Sequence, residues 1–228
     1  MKKIVVIVLL FNTYFGFSQN KVFDYISLRD ELKVINKNDQ FEVVTQDIEG
    51  SPYLFEEFAP GKIIQEGKKD LNAYFRYNAL QDVVEIKIKP NQNEIFILPR
   101  SDKFVFKLAD YTFFLKNLIT KEGEVLAGYK LKYYESDNLL FIGKSNSRIT
   151  AAKIAETSYD RAKPPKIINN MNYYISFNGD PLVSVKIKEK DFRNLLGDSP
   201  KMKTYFKENK VKEIEDVLKM FEFYETNI

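Results

Sequence analysis

Between residues 71 and 187 the chain alternates. Leu71, Ala73, Phe75 and Tyr77 are separated by Asn72, Tyr74, Arg76 and Asn78, and residues 84–89 run apolar and charged in strict turn. Phe104-Phe106-Leu108, Tyr129-Leu131-Tyr133, Tyr173-Ile175-Phe177 and Val183-Val185-Ile187 form further faces of period two. Such faces predict half-buried strands. Residues 95–98 and 139–142 are continuous apolar runs and predict strands covered on both sides. Turn formers separate these segments at 66–69, 122–123, 136–138 and 178–181. Short spacing without intervening helices predicts an antiparallel meander of roughly nine or ten strands, either an open curved sheet or a barrel.

The two ends have a different period. Ser27 can cap a helix in which Leu28, Leu32 and Ile35 share a face, ended by Asn36-Lys37-Asn38-Asp39, with period two resuming at Phe41. In the tail, Phe192, Leu195 and Leu196 fit one helical face stopped by Gly197. Ser199-Pro200 then opens a second helix, with Met202, Tyr205 and Phe206 on one side. Asn209 suits a left-handed helix end, and Ile214, Val217, Leu218, Phe221 and Tyr224 form the stripe of a third helix. The fold class expected is α+β, an antiparallel sheet followed by short C-terminal helices packed on it.

Upstream of all this, Met1-Lys2-Lys3, an apolar core at 4–11, and Gly16 and Ser18 before Gln19 have the order of a cleaved signal peptide. The apolar run is about half of what spans a bilayer, so no retained transmembrane helix is expected. The organisation expected is a leader at 1–18, a β-rich domain at 19–187 and helices at 188–228. Export to the periplasm follows, with release to the outside as the alternative.

Composition narrows the chemistry more by what is missing. The chain has 35 basic and 32 acidic residues and no Cys, His or Trp. Without Cys there is neither a disulfide nor a lipidated cysteine, and without His and Cys the Ser-His-Asp, Cys-His and Cys/His zinc chemistries are closed. No enzymatic activity, cofactor or metal is expected, although carboxylate chemistry stays open. Loss of Lys2 and Lys3 with the leader leaves 33 basic against 32 acidic residues, so no nucleic-acid footprint is expected.

Several short motifs stand out: Gly50-Ser51-Pro52-Tyr53-Leu54 with Phe58 and Gly61 after it, Arg76-Tyr77-Asn78 before a strand, and Tyr205-Phe206-Lys207-Glu208-Asn209-Lys210 in the tail. In these, and in the leader ending Phe17-Ser18-Gln19, the chain resembles a family of uncharacterised exported proteins of Bacteroidetes-type bacteria. The resemblance implies a habitat and no activity. Many exported proteins of such bacteria end in a β-sandwich sorting domain, whereas a helical end here implies periplasmic residence.

Candidate binding residues fall in three places. Tyr53, Phe55 and Phe58 either offer a binding loop or fold back into the core as a turn. Glu56 and Glu57 are adjacent and diverge on any regular backbone, so they are not expected to act as a catalytic pair. Arg76 is a solvated strand charge, an anion clamp, or a cation stacked on Tyr74, which shares its face. Residues 145–166 read as a long loop with a helical turn near 149–155 and a rigid Lys163-Pro164-Pro165; as a partner site it would use Arg148, Tyr159, Arg161 and Lys163, and as a plain element it would cover a sheet edge. Charge is uneven: residues 22–66 carry ten acidic and four basic side chains, whereas 144–166 carry six basic and two acidic. This points to a basic face for an anionic envelope component, or to internal complementarity. Three functional readings follow: a non-enzymatic envelope interaction module, a carrier of an apolar small ligand inside the curved sheet, and a carboxylate-only hydrolase. The ligand and the oligomeric state are not encoded in any motif. Intact-mass measurement on protein recovered from an exporting host is expected to give a chain beginning at Gln19; a chain retaining Met1 would remove the leader reading.

Overall fold

A computed structural model describes residues 33–35, 48–155, 161–197 and 199–227. The leader, the helix start at Ser27 and the candidate Tyr159 lie outside the described residues.

The chain builds two antiparallel leaves that join edge to edge. In the first leaf β2 (Ala59–Gln65), β3 (Leu71–Asn78), β4 (Val83–Lys87) and β5 (Ile95–Ile97) pair in succession, and β1 (Lys33–Ile35) pairs with β5. In the second, β6 (Phe104–Lys107) and β7 (Thr112–Leu115) lead to β10 (Tyr129–Glu135), β11 (Leu139–Thr150), β12 (Lys166–Phe177) and β13 (Val183–Val185). A small hairpin, β8 (Leu118–Ile119) with β9 (Val125–Leu126), stands between β7 and β10 in the chain. After β5 the chain returns to lay β6 against β2, making one eleven-stranded sheet with β1 and β13 at its edges. The sheet is therefore open, and the meander is two meanders joined at β2–β6. Ile35, assigned by its spacing to a helix, sits in β1 opposite Ile95. A three-residue stripe is too short for period alone to separate helix from strand.

Although open, the sheet rolls strongly. Tyr77 on β3 lies three strands from Phe113 on β7 in the sheet order, a separation of roughly 14 Å if the sheet were flat. Their ring centroids are 4.9 Å apart, and Tyr77 also meets Tyr129 on β10 at 6.4 Å. The concave side is filled: Phe75, Tyr77, Phe104, Phe106, Phe113 and Tyr129 are all buried there, together with Ile63, Ile86 and Leu131. The alternating faces of the sequence supply these side chains because one edge-on turn of the strand sends every second residue inward. Residues 139–142 are covered on both sides as expected. Leu139 and Phe141 face the helices, whereas Ile142 faces Tyr174, Leu182 and the β8–β9 hairpin.

The helices pack on the β10–β13 side. They are α1 (Glu189–Leu196), α2 (Pro200–Glu208) and α3 (Ile214–Asn227), and Phe192, Met202, Phe206, Val217, Met220 and Phe221 are buried against Phe141, Ile175 and Val185. Ser199 caps α2 by accepting from the Met202 amide at 3.1 Å, as its position predicts. Asn209 does not take the left-handed conformation: it is extended at φ −122°, because the chain leaves α2 straight into the segment before α3. Glu225 ties α3 to the β10–β11 turn by accepting from the Tyr134 hydroxyl at 2.7 Å and from Ser136.

The largest departure from expectation is at 145–166. No helical turn forms at 149–155. Residues 144–150 continue β11 and pair rung by rung with 166–172 of β12, and Lys153 pairs with Lys163 further out. Beyond Ser145 the two strands mix polar residues with Ile149, Ile167, Ile168 and Met171 in no period-two order, so the pattern does not mark them as strands. The base of this arm is clasped by residues 49–53. Glu49 donates its amide to Pro165 O at 2.9 Å and accepts from Ile167 N at 2.8 Å, while Asn169 Nδ2 donates to the Ser51 and Tyr53 carbonyls at 3.0 and 2.9 Å. Gly50 makes the contact possible: its φ is +90°, and a Cβ there would lie 2.7 Å from Ile167 O. Replacing Gly50 by Ala is expected to cost about 3 kcal/mol, the left-handed penalty plus a backbone clash, against about 1 kcal/mol for Gly67→Ala. Gly67 also has positive φ but has open space around it. Urea unfolding of both variants checks this, and equal losses would show that the clasp contact is not the constraint.

Candidate functional site

Three of the sequence candidates meet on the convex face of β3 and β4. Arg76 and Glu85 are direct cross-strand partners, and Arg76 Nε and Nη2 both donate to Glu85 Oε2, at 3.0 and 2.7 Å. The guanidinium is sandwiched, 3.7 Å from the Tyr53 ring centroid and 4.5 Å from that of Phe58. Lys87 Nζ also lies 4.5 Å from the Phe58 ring centroid. The side chains of Arg76 and Glu85 keep only 17% and 4% of their exposure. Arg76 is thus not the solvated strand charge that alternation suggests, and its stacking partners are Tyr53 and Phe58, not Tyr74. A buried guanidinium needs partners on every side, and the 50–58 segment folds over the strand to supply them. Burial and the Glu85 carboxylate push the Tyr53 phenol above its ordinary range, partly offset by Arg76.

Two of the motifs that stand out in the sequence, Gly50-Ser51-Pro52-Tyr53-Leu54 and Arg76-Tyr77-Asn78, are therefore one unit. Pro52 O accepts from Ala79 N at 2.7 Å and Leu80 N at 3.3 Å, and Leu54 N donates to Tyr77 O at 3.1 Å. Within Arg76-Tyr77-Asn78 each residue has its own task. Arg76 holds the 50–58 segment, the Tyr77 hydroxyl donates to Asp82 at 2.6 Å, and Asn78 closes the β3–β4 turn by accepting from Gln81 N at 3.0 Å. Leu54 packs on the concave core, but Phe55 does not enter it: it stacks on Tyr111 at 5.5 Å and stays 46% exposed.

A second polar cluster has no counterpart in the sequence analysis. Asp82, in the left-handed region at φ 56°, accepts from Tyr77, from Tyr129 N at 3.0 Å, from Lys144 Nζ at 3.4 Å and from Arg100. Nearby Lys130 is fully buried and donates to the Lys116 and Gly128 carbonyls at 2.7 Å each. Desolvation lowers both amines to about 8, helped at Lys130 by Lys144 and at Lys144 by Arg100, so both remain ammonium ions at neutral pH. Lys130 occupies an outward position of a regular alternation, and nothing in the sequence marks it as buried. Its ammonium is held between the two ends of the β8–β9 excursion, at Lys116 O and Gly128 O.

Beside the Arg76 unit, Tyr74 lines an open groove of about 650 Å³ on the convex face. Pro60, Lys62, Lys89, Pro90 and Lys107 line it too, with Asp70 3.8 Å from Lys62. Lys62 and Lys107 are direct cross-strand neighbours, a like-charge pair that a sheet does not choose for stability. Arg148, Arg161 and Lys163 stand apart from this groove, on the exposed arm. Among the described residues no group of three or more acidic side chains is placed to hold a metal ion, and no helix is long and apolar enough to cross a membrane. No protein-family model, curated protein or solved structure matches the chain.

Glu85→Ala is expected to cost about 3 kcal/mol or more, because it strands a buried guanidinium. Arg76→Lys should lose nearly as much, since an ammonium cannot reproduce the planar stack. Chemical denaturation of both variants checks the pair, and a loss below about 1 kcal/mol in Glu85→Ala would place Arg76 among ordinary surface charges.

Proposed function

We propose that the chain is an exported, non-enzymatic envelope protein that binds an elongated anionic polymer, such as an acidic polysaccharide, along the groove beside Tyr74. Export rests on the leader pattern at 1–18. Binding on the outside of the sheet is favoured over carriage within it because aromatic rings already fill the concave side. A reactive constellation is disfavoured by how the described polar groups are spent. Arg76 is stacked and paired, Asp82 has four donors, and the Lys130 ammonium donates to two backbone carbonyls.

The single observation that carries the reading is the Lys62–Lys107 pair at the floor of an open groove, with Lys89 at its rim. Two ammonium groups placed side by side repel each other, and a polyanion lying across both relieves that repulsion. Lys107 and Lys89 have no side-chain partner among the described residues, whereas Lys62 has Asp70. Pro60 and Pro90 stiffen the walls by fixing φ. Tyr74 offers a ring face and a hydroxyl, suited to a sugar ring with its polar rim. An open trough suits a chain passing through better than a small molecule needing enclosure.

Isothermal titration with polygalacturonate is expected to show binding that weakens with salt, and neutral dextran should not bind. Lys107→Gln should weaken it roughly fivefold and Tyr74→Ala by about the same factor. Binding of both polymers alike, or unchanged affinity in Lys107→Gln, would overturn the groove as the site.

A further inference from the structure

The β11–β12 arm has a composition that its fold does not require. From Ser145 to Ile154 the hairpin extends about 30 Å, and β10 accompanies β11 only as far as Gly143. A two-stranded ribbon alone is marginal in water, and residues 49–53 brace only its base. Its outer part is exposed, with Ile149 at 43% and Ile154 at 80%. Among the described arm residues, 146–155 and 161–170, there are five cations (Arg148, Lys153, Arg161, Lys163 and Lys166) and no carboxylate. Glu156 and Asp160, outside the described residues, still leave the arm at net +3. None of the five cations has an ion-pair partner among the described residues.

Edge protection accounts for part of this. Lysines and prolines at a strand edge discourage pairing with other chains, and Lys163-Pro164-Pro165 fits that role. It does not account for an isoleucine held almost fully in water beside the outermost described rung, which costs solubility and contributes no packing. Around Ile154 the neighbours are small: Ala151, Ala152, Ala155 and Ala162. An apolar point among small residues, with Lys153 and Lys163 on the adjoining rung and Arg148 further back along the strand, matches a surface that is apolar within and negative at its face. A protein adding a strand to β11 would instead meet Asn146, Ser147, Arg148, Ile149 and Thr150, a single exposed apolar residue and no apolar stripe.

We propose that the arm docks on an anionic phospholipid bilayer, with Ile154 entering the headgroup layer and Lys153, Lys163, Arg148 and Arg161 lying against lipid phosphates. The 49–53 clasp ties the base of the arm to the rest of the protein. The site is separate from the groove at Tyr74 and stands without it.

The chain contains no Trp, so Ile154→Trp introduces a single reporter. With vesicles of equal phosphatidylglycerol and phosphatidylcholine its emission should shift to the blue, and with phosphatidylcholine alone it should not. In co-sedimentation, the pair Lys153→Gln/Lys163→Gln should weaken binding to the anionic vesicles roughly twentyfold, from about fivefold per cation. Ile154→Gln should weaken it about tenfold. A control pair of equal charge change on the helical side, Lys207→Gln/Lys210→Gln, should leave it unchanged. All of these positions are exposed, and thermal melts verify that each variant is folded. The proposal fails if both vesicle types bind alike, if the control pair loses as much as the arm pair, or if the reporter stays red with vesicles bound. It also fails if only a soluble polyanion or another protein binds the arm.

Discussion

A guanidinium buried on the outside of a sheet organises much of this molecule. Arg76 projects from the convex face of β3, where an arginine would ordinarily lie in water. Its charge is instead removed from solvent, and a charge so placed is tolerated only when it is paired and enclosed. Glu85 supplies the pairing from the adjacent strand. The enclosure comes from Tyr53 and Phe58, which brings the whole 50–58 segment across the strand. That segment cannot lie there without also passing Ile167, which is why it carries Gly50 at positive φ and why the arm is braced. One ion pair thus couples the first leaf, the covering segment and the base of the arm.

The roll of the sheet rests on a second constraint. With no disulfide available, the curl is held by side-chain packing and by Asp82. This carboxylate collects donors from β3, from the start of β10, from β11 and from the segment after β5, so that elements far apart in sheet order meet at one point. Aromatic contacts then run without interruption through the protein. They pass from Phe75 and Phe106 to Tyr129 and Tyr77, on through Phe113, Tyr111 and Tyr133 to Phe141, and from there to Phe192 and Phe221 in the helices. Each contact adds about 0.5–1.5 kcal/mol beyond burial of the rings. This seam makes the rolled sheet and the helical tail a single packed body.

Strands with a buried side were legible residue by residue. Residues 71–78 form β3 as their alternation implies, and the double-sided cover of 139–142 was legible from the unbroken apolar run. The cap at Ser199 was equally plain, because a hydroxyl before proline has a local task. The arm was not legible: its strands are stabilised by pairing with each other and by the 49–53 clasp, contacts that leave no periodic mark on polar residues. The candidate site was half legible. Tyr53, Phe58 and Arg76 were singled out and do meet, whereas Glu85 passed as an alternating strand charge and Asp82, Lys130 and Lys144 gave no sign at all.

Local physics accounts for the division. Hydrophobic period, turn chemistry and helix caps depend on neighbours a few residues away, so the sequence by itself determined an antiparallel α+β chain, the helical tail, and the absence of thiol and imidazole chemistry. Which leaf edge β6 joins, how far the sheet rolls, and whether an outward Arg or Lys ends in water or under a cover depend on residues tens of positions distant. Arg76 and Lys130 occupy outward sites as ordinary as that of Lys107, yet Lys130 is buried, Arg76 is largely covered and Lys107 lines an open groove. Tertiary packing alone decided that difference, because burial belongs to whatever element crosses above a side chain, and no side chain specifies its own cover.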